Sequence, residues 1–410
     1  MTSQQAWPKV IILVDMNCFF AQIEQQDNPF WRNRPVAVTN GGQGTTIITS
    51  SYEARAYGVK TGMRLKEARM LCPDLIQAAS RPHRYAEIST NIMTSLQSIT
   101  PDLEVYSVDE AFLDVTHCQS LLGTPLQIAQ LVKDTVSNIS GLTCSVGVSG
   151  DKTTAKYAAK LNKPDGLTQI LPWEAEAVLA PLHVTELSGI NTGTANFLKQ
   201  YGVVLCGDMK KIPISIPAKR FGNLGRRLWL MAQGKDPETI NTTVNDPKTI
   251  GHGKVMPPQT NDLPTILTYF QHMSEKVGSR LRKHHFKASH FYMGLKTEQG
   301  WLQSRIKLKQ ATDDGQAIFT QCRQFVIQHW QGQGVWQVQV TALNPHHEQQ
   351  GDLFADNQLS EKRQQLNNAI DQINQRYGEF TVAPSRLIDR SAMPNVIAPS
   401  WKPSGHRKTI

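Results

Sequence analysis

No stretch of this 410-residue sequence has the unbroken apolar run that a membrane helix requires, and residues 1–9 hold no apolar core of the kind a secretory leader carries. Neither a membrane span nor a leader is expected. Paired cysteines are missing too: Cys18, Cys72, Cys118, Cys144, Cys206 and Cys322 are scattered with no C-x-x-C spacing, which indicates neither a zinc site nor a disulfide framework. They read as buried thiols of a reducing compartment, so the expected location is cytoplasmic. Acidic residues are in deficit. The 34 Asp and Glu stand against 43 Lys and Arg, a net charge of +9 and a pI near 9.2. That balance favours a polyanionic partner over an acidic protein or a neutral metabolite, although many basic proteins bind no nucleic acid. The length allows roughly three domains and an ample core.

Among the few acids, three are conspicuous. Asp15 ends the apolar run Val10-Ile11-Ile12-Leu13-Val14, and Asp109-Glu110 sit inside Tyr106-Ser107-Val108-Asp109-Glu110-Ala111-Phe112-Leu113-Asp114-Val115. Both segments read as buried strands. Carboxylates at the ends of such strands repel one another and lose hydration, so they persist as anions mainly with divalent cations between them. Two such cations, roughly 4 Å apart, stabilise the attacking and leaving oxygens of phosphoryl or nucleotidyl transfer. A lone Asp after an apolar run is also a common strand end or helix N-cap. Neighbours on a regular strand point to opposite faces, so Asp109 and Glu110 share a site only if the chain turns there; alternating residues 103–108 and 111–115 flank the pair like hairpin arms.

Four motifs, Val14-Asp15-Met16-Asn17-Cys18-Phe19-Phe20-Ala21, Ser51-Tyr52-Glu53-Ala54-Arg55-Ala56-Tyr57-Gly58-Val59-Lys60, Ser107-Val108-Asp109-Glu110-Ala111-Phe112-Leu113-Asp114 and Asn162-Lys163-Pro164-Asp165-Gly166, resemble those of Y-family translesion DNA polymerases. They come in the family's order and spacing over residues 10–170, with weaker likeness to about residue 355. The segment Asp15-Met16-Asn17-Cys18-Phe19-Phe20 leans to the DinB rather than the UmuC type.

The expected fold is a multidomain α/β and α+β right-hand polymerase. Strand and helix signals alternate through the first 170 residues, with strands at 35–39 and 45–50 around the Gly41-Gly42-Gln43-Gly44 turn and helical patterns at 20–26, 52–57 and 65–71. The resemblance implies a catalytic palm at 1–20 and 84–170, fingers at 21–83 and a helical thumb at 171–240. A polar linker is expected at 241–248. Residues 249–346 read as a β-α-β-β-α-β unit, with strands at 249–255, 288–296, 301–309 and 335–343 and helices marked by Ile266, Phe270, Met273, Val277 and Leu281 and by 317–330. The resemblance makes this unit the little finger, and 347–410 is a polar tail.

Two elements suit a DNA backbone. In Leu187-Ser188-Gly189-Ile190-Asn191-Thr192-Gly193-Thr194-Ala195, a Gly-rich link between two short helices offers free N–H groups to a phosphate, or is an ordinary C-cap and turn. It resembles a helix-hairpin-helix with Gly189, Asn191 and Gly193 at the turn, Asn191 standing where a second Gly is usual. Residues 249–346 carry eleven Lys and Arg against five Asp and Glu. There Arg305, Lys307 and Lys309 share one strand face opposite Ile306 and Leu308, suited to a phosphate backbone or to plain solvation. Beyond them, Gln350-Gly351-Asp352-Leu353-Phe354 resembles the peptide with which bacterial polymerases dock on the sliding clamp, through Gln350, Leu353 and Phe354. A helical stretch with Leu366, Ile370, Ile373 and Tyr377 follows, then a basic tail that is a candidate contact for other repair proteins.

The resemblance implies roles for single residues. Asp15, Asp109 and Glu110 would be catalytic and, with the Met16 carbonyl, would hold two Mg²⁺ ions, for which Mn²⁺ can substitute. Phe19, Thr49, Tyr52, Arg55 and Lys163 would meet the incoming dNTP, and Phe20 would be the steric gate against a ribose 2′-hydroxyl, unless it is simply a core aromatic. No second acidic cluster suited to a proofreading exonuclease appears. Error-prone synthesis by a monomer on primer-template DNA is therefore expected. Two rivals remain: a haloacid-dehalogenase-type phosphatase, which wants a second acid where Asn17 stands, and a catalytically silent adaptor bridging clamp and repair proteins.

Overall fold

The computed structural model describes residues 7–42, 45–243, 246–347 and 357–390, with side chains from 361 onward in the last segment. The clamp-type peptide with Gln350, Leu353 and Phe354 lies outside the described residues. Two compact units divide the chain, meeting between residues 244 and 245.

In the first unit, the buried run becomes β1 (Ile11–Met16), which the chain follows with α1 (Phe19–Asp27), β2 (Val36–Thr39), β3 (Ile47–Ser50), α2 (Tyr52–Ala56), α3 (Leu65–Leu71), β4 (Ile76–Ala79) and α4 (Pro82–Leu96). Then come β5 (Leu103–Val105), β6 (Glu110–Asp114), α5 (Gln119–Leu122), α6 (Pro125–Ser140), β7 (Cys144–Ser149), α7 (Lys152–Leu161) and β8 (Leu167–Gln169). A five-stranded sheet runs β5-β6-β1-β7-β8, with β1 central and antiparallel to both neighbours. Both faces are covered, which is why β1 is apolar without alternation. Ile12 and Val14 pack with Ile88 and Ile92 of α4 and Ile128 and Val132 of α6, while Ile11 and Leu13 meet Ala155 and Ala159 of α7. Helix α7 approaches closely because β7 has Gly147 beneath it; a Cβ there would lie 2.1 Å from the Ala155 carbonyl oxygen.

A second sheet, β3-β2-β4, has its own small core with Ala54, Leu65 and Ala68 from α2 and α3. Helices α8 (Ala175–Leu179), α9 (Thr192–Lys199), α10 (Ser215–Phe221) and α11 (Asn223–Met231) form a separate helical cluster around Leu198, Met209 and Leu228. The expected pair of short helices at the Gly-rich link is only half regular: Val184–Glu186 is a single 3-10 turn leading to α9. Asn191 is the N-cap of α9, with φ −86° and its Oδ1 accepting from Thr194 N at 2.9 Å, so this position does not call for glycine. Gly189, at φ +94°, does.

The second unit contains β9 (Thr249–Thr260), α12 (Leu263–Lys283), β10 (Phe286–Thr297), β11 (Gly300–Thr312), α13 (Gly315–His329), β12 (Val335–Leu343), the short β13 (His346–His347) and α14 (Asn357–Tyr377). The sheet order β11-β10-β12-β9, antiparallel throughout, interleaves two split β-α-β units. All five marked apolar residues of α12 are buried. Strand β9 runs past the expected end at 255 and takes in Pro257 and Pro258, which an edge strand tolerates because its outer N–H groups need no partner. Helix α14 docks by its polar side: Asp371 accepts two bonds from Arg282 at 2.6 and 2.9 Å, and Arg363 and Asn367 reach Asp314. Leu366, Ile373 and Tyr377 are exposed. Among the described residues, no helix is long and apolar enough to cross a membrane.

Candidate active site

Asp15 and Glu110 are partners across β1 and β6, so their side chains share one sheet face. Asp15 also has the parity of Ile11 and Leu13 and so looks toward α7. The expected hairpin is present, with Leu103 opposite Leu113 and Val105 opposite Ala111. Its turn is tight: the N–H groups of Tyr106 and Ser107 both donate to the Glu110 carbonyl. Asp109 therefore lies in the turn and Glu110 at the start of β6, and both adjacent acids reach the same cavity. The Asp109 carbonyl accepts from Met16 N at 2.9 Å, locking the turn to the end of β1.

After Met16 the chain reverses sharply. Cys18 takes a left-handed conformation, φ 36°, which brings Phe19 and Phe20 at the head of α1 back over the strand end. Asn17 holds the reversal, donating to Thr143 Oγ1 at 3.0 Å and accepting from Ser145 Oγ at 2.9 Å. Asn17 is buried in those bonds and does not line the cavity. The second acid that a haloacid-dehalogenase-type phosphatase needs is thus absent in type and in direction.

Asp15, Asp109 and Glu110 border a cavity of about 360 Å³ whose other walls include Phe20, Thr49, Arg55 and Lys163, with Met16 and Phe19 also present. Most of the expected nucleotide and metal residues are brought together here. Tyr52 is behind this wall: the Arg55 guanidinium stands 4.8 Å from its ring centre, and its buried hydroxyl has no partner. Arg55 is oriented by a bond from Nε to the Ser50 carbonyl at 3.0 Å. Phe20 is both core and wall, stacked on Tyr85 with ring centres 4.3 Å apart while still facing the cavity.

The electrostatics are those of an acidic site short of cations. Burial pushes the Asp15 carboxyl up to about 7, opposed by Lys163 and reinforced by the charges of Glu110 and Asp109. Burial also raises Asp109, against a 2.6 Å bond from Ser107 Oγ. Each outer acid holds a lysine instead. Lys163 Nζ stands 2.5 Å from Asp15 Oδ2, and Lys156 Nζ stands 2.6 Å from Glu110 Oε1. Consequently, among the described residues, no three acid, His or Cys side chains are already arranged as a metal chelate.

Lys156 and Thr61, another wall residue, do not stand out in the sequence, and Ser107 figures there only as part of a motif with no role of its own. Ser107 precedes the Asp-Glu pair directly, and Lys156 belongs to a row of lysines four apart on α7. The DNA-facing candidates are elsewhere. Gly189 borders a neighbouring groove and Asn191 and Gly193 open α9, while Arg305, Lys307 and Lys309 alternate as exposed residues on the edge strand β11 of the second unit.

Comparison with known proteins agrees with this arrangement. The model of the impB/mucB/samB family matches residues 14–160, and that of its C-terminal domain matches residues 247–353. The DNA polymerase IV of Moorella thermoacetica is 34% identical over 388 residues, covering 91% of this chain and 94% of that protein. The DNA polymerase IV of Serratia proteamaculans is 37% identical over 246 residues, 58% of this chain and 70% of that one. A solved Y-family DNA polymerase chimera superposes with a TM-score of 0.71 at 27% identity, over 83% of this chain and all of that one. With its fold, its acidic cavity and these relatives in agreement, the chain belongs to the impB/mucB/samB family of DinB-type Y-family polymerases.

Proposed function

We propose that this chain is a DNA-directed DNA polymerase of translesion synthesis, adding deoxynucleotides to a primer 3′-hydroxyl beside Asp15, Asp109 and Glu110. The convergence of those carboxylates with Arg55 and Lys163 on one cavity carries the reading. The donors are carboxylate oxygens with the Met16 carbonyl nearby, a set suited to a hard cation such as Mg²⁺ or Mn²⁺. It fits, because burial and mutual repulsion leave Asp15 short of positive charge. Two bound Mg²⁺ ions would supply acidity to the 3′-hydroxyl and neutralise the triphosphate.

The protein's own groups perform the remaining work. Arg55 and Lys163 would meet phosphate charge in the cavity, with Thr49 as a further donor; Tyr52, behind the wall, would act by supporting Arg55. Phe19 and Phe20 supply the wall against the sugar, where the Phe20 ring would clash with a 2′-hydroxyl. In this reading the five-stranded sheet is the palm, the small sheet the fingers, the helical cluster the thumb and the second unit the little finger. Gly189, Asn191 and Gly193 would hold one DNA strand, and Arg305, Lys307 and Lys309 the phosphates along β11. Gln350, Leu353 and Phe354 would engage the sliding clamp and prolong residence on DNA. A cytoplasmic location is supported by six cysteines that are all unpaired.

Primer extension across an abasic site with Mg²⁺, with and without clamp, tests the reading. Extension past the lesion, increased by clamp, is expected. Phosphate release from a simple ester with no extension would overturn it. A silent adaptor would bind DNA and clamp but extend nothing.

A further inference from the structure

Helix α7 carries Lys152, Lys156 and Lys160 one turn apart, and each is held by a carboxylate. Lys152 is buried, 2.9 Å from Glu104. Lys156 is differently placed. Its ammonium bonds Glu110 and lies 4.5 Å from the Tyr106 ring centre, yet a quarter of the side chain remains exposed. With Lys160 it lines a groove of about 390 Å³ that begins at Asp15 and Lys163 and ends at Ser188 and Gly189.

Glu110 cannot serve two cations at full strength. If it ligates a divalent ion, Lys156 loses its partner and acquires a like-charged neighbour, while still anchored at the groove. Its neighbourhood then calls for an anion. Thr49 and Arg55 border only the other cavity, which Lys156 does not reach, while Lys163 borders both; a triphosphate held against Thr49 and Arg55 is therefore not that anion. A primer whose 3′ end lies by Asp15 and whose backbone leads toward Gly189 would bring its phosphates through the groove.

We propose that Lys156 is a reserve cation: it neutralises Glu110 in the metal-free protein and becomes a ligand for a primer phosphate near the 3′ end when a divalent cation takes that carboxylate. The proposal rests on the two-metal reading above.

The test uses the full chain and two titrations that involve no catalysis. Mn²⁺ binding is followed by the loss of its free electron paramagnetic resonance signal, without DNA. Primer-template binding is followed by fluorescence anisotropy with Mg²⁺ or with chelator, without dNTP. In Lys156→Gln, Mn²⁺ should bind about two- to fivefold more tightly, the worth of one partly screened ion pair removed. The gain in DNA affinity that Mg²⁺ gives the native protein should shrink, with the salt slope in Mg²⁺ reduced by about 0.9 for one lost phosphate contact. Lys156→Arg should restore the gain, and Lys156→Met serves if the glutamine variant does not fold. Unchanged Mn²⁺ affinity, or an undiminished gain in DNA affinity, overturns the proposal. If native protein and Asp109→Ala take up Mn²⁺ alike, the two-metal reading itself fails; if they differ while Lys156→Gln behaves as native, only the lysine's role falls.

Discussion

Lys163 Nζ and Asp15 Oδ2 lie 2.5 Å apart at the mouth of the acidic cavity, so a cation proposed for the triphosphate rests on an acid proposed for the metals. The pair is about three-quarters buried on the lysine side, and it offsets the repulsion that Glu110 and Asp109 impose on Asp15. In the proposed reading, nucleotide and metal binding would be coupled through this single contact, since neither partner could keep the other while serving its own ligand.

Asp109→Ala is expected to abolish extension while primer-template binding persists. Asp109 is buried and its neighbours Ser107 and Glu110 remain, so the loss falls on the reacting groups rather than on the DNA-holding surfaces. Single-turnover extension together with a DNA-binding isotherm checks this. Full activity in the variant would remove Asp109 from the mechanism.

Arg55→Ala should raise the nucleotide KM or lower kcat tenfold or more, about 1.4 kcal/mol of lost phosphate stabilisation. Its guanidinium is fixed by the Ser50 carbonyl and the Tyr52 ring, so little ordering entropy is left to be lost when phosphate arrives. Steady-state kinetics with one dNTP is sufficient, and unchanged constants would count against the assignment.

Much of this site can be read from the chain because its elements are fixed by local rules. A continuous apolar run is what a strand covered on both faces requires, and β1 has just that, ending at Asp15. Alternation about Asp109-Glu110 requires a hairpin, and β5 and β6 form one. Lys156 was not legible, because its role depends on Gly147 allowing α7 close to the sheet, a contact between segments with no shared pattern. The side of α14 that docks was not legible either. Leu366, Ile370, Ile373 and Tyr377 suggest an apolar seam, whereas the half-buried Arg282 selects Asp371, and of the four only Ile370 lies on that side. The extent of β9 was hidden by two prolines that only an edge position accommodates.

Phe20→Ala should admit ribonucleotides, with discrimination against them falling by about tenfold or more as the clash disappears. The ring also packs in the core against Tyr85, so the same change should cost stability of about 3 kcal/mol. Phe20→Leu separates the two effects by retaining more of the packing. The ratio of kcat/KM for matched dNTP and rNTP is the measurement, and unaltered sugar selection in both variants would leave Phe20 a core residue only.

Acid should destabilise the second unit through two histidines, buried His272 and half-buried His252. Burial, reinforced by the neighbouring cations Lys276, Lys254 and Arg390, pushes His272 down to about 3, and burial with Arg280, Lys276 and Lys254 pushes His252 down to about 2. The unfolded chain, with histidines near 6.5, binds more protons than the native state below that pH, so stability is full above about 6.5 and is lost as pH falls toward 3. Glu275 acts in the opposite sense. Burial and Asp314 raise it to about 7, so its contribution is present below the ordinary 4.5 and is lost as pH rises through 7. Within the second unit the two histidines outweigh Glu275, so the midpoint of that unit's unfolding should drop between about pH 6.5 and pH 5. His272→Gln should flatten that drop, and Glu275→Gln should steepen it, because each substitution deletes one of the opposed titrations. Melts of the full chain across this range decide the matter: curves that stay parallel to the native one in both variants would show that neither group titrates differently on unfolding.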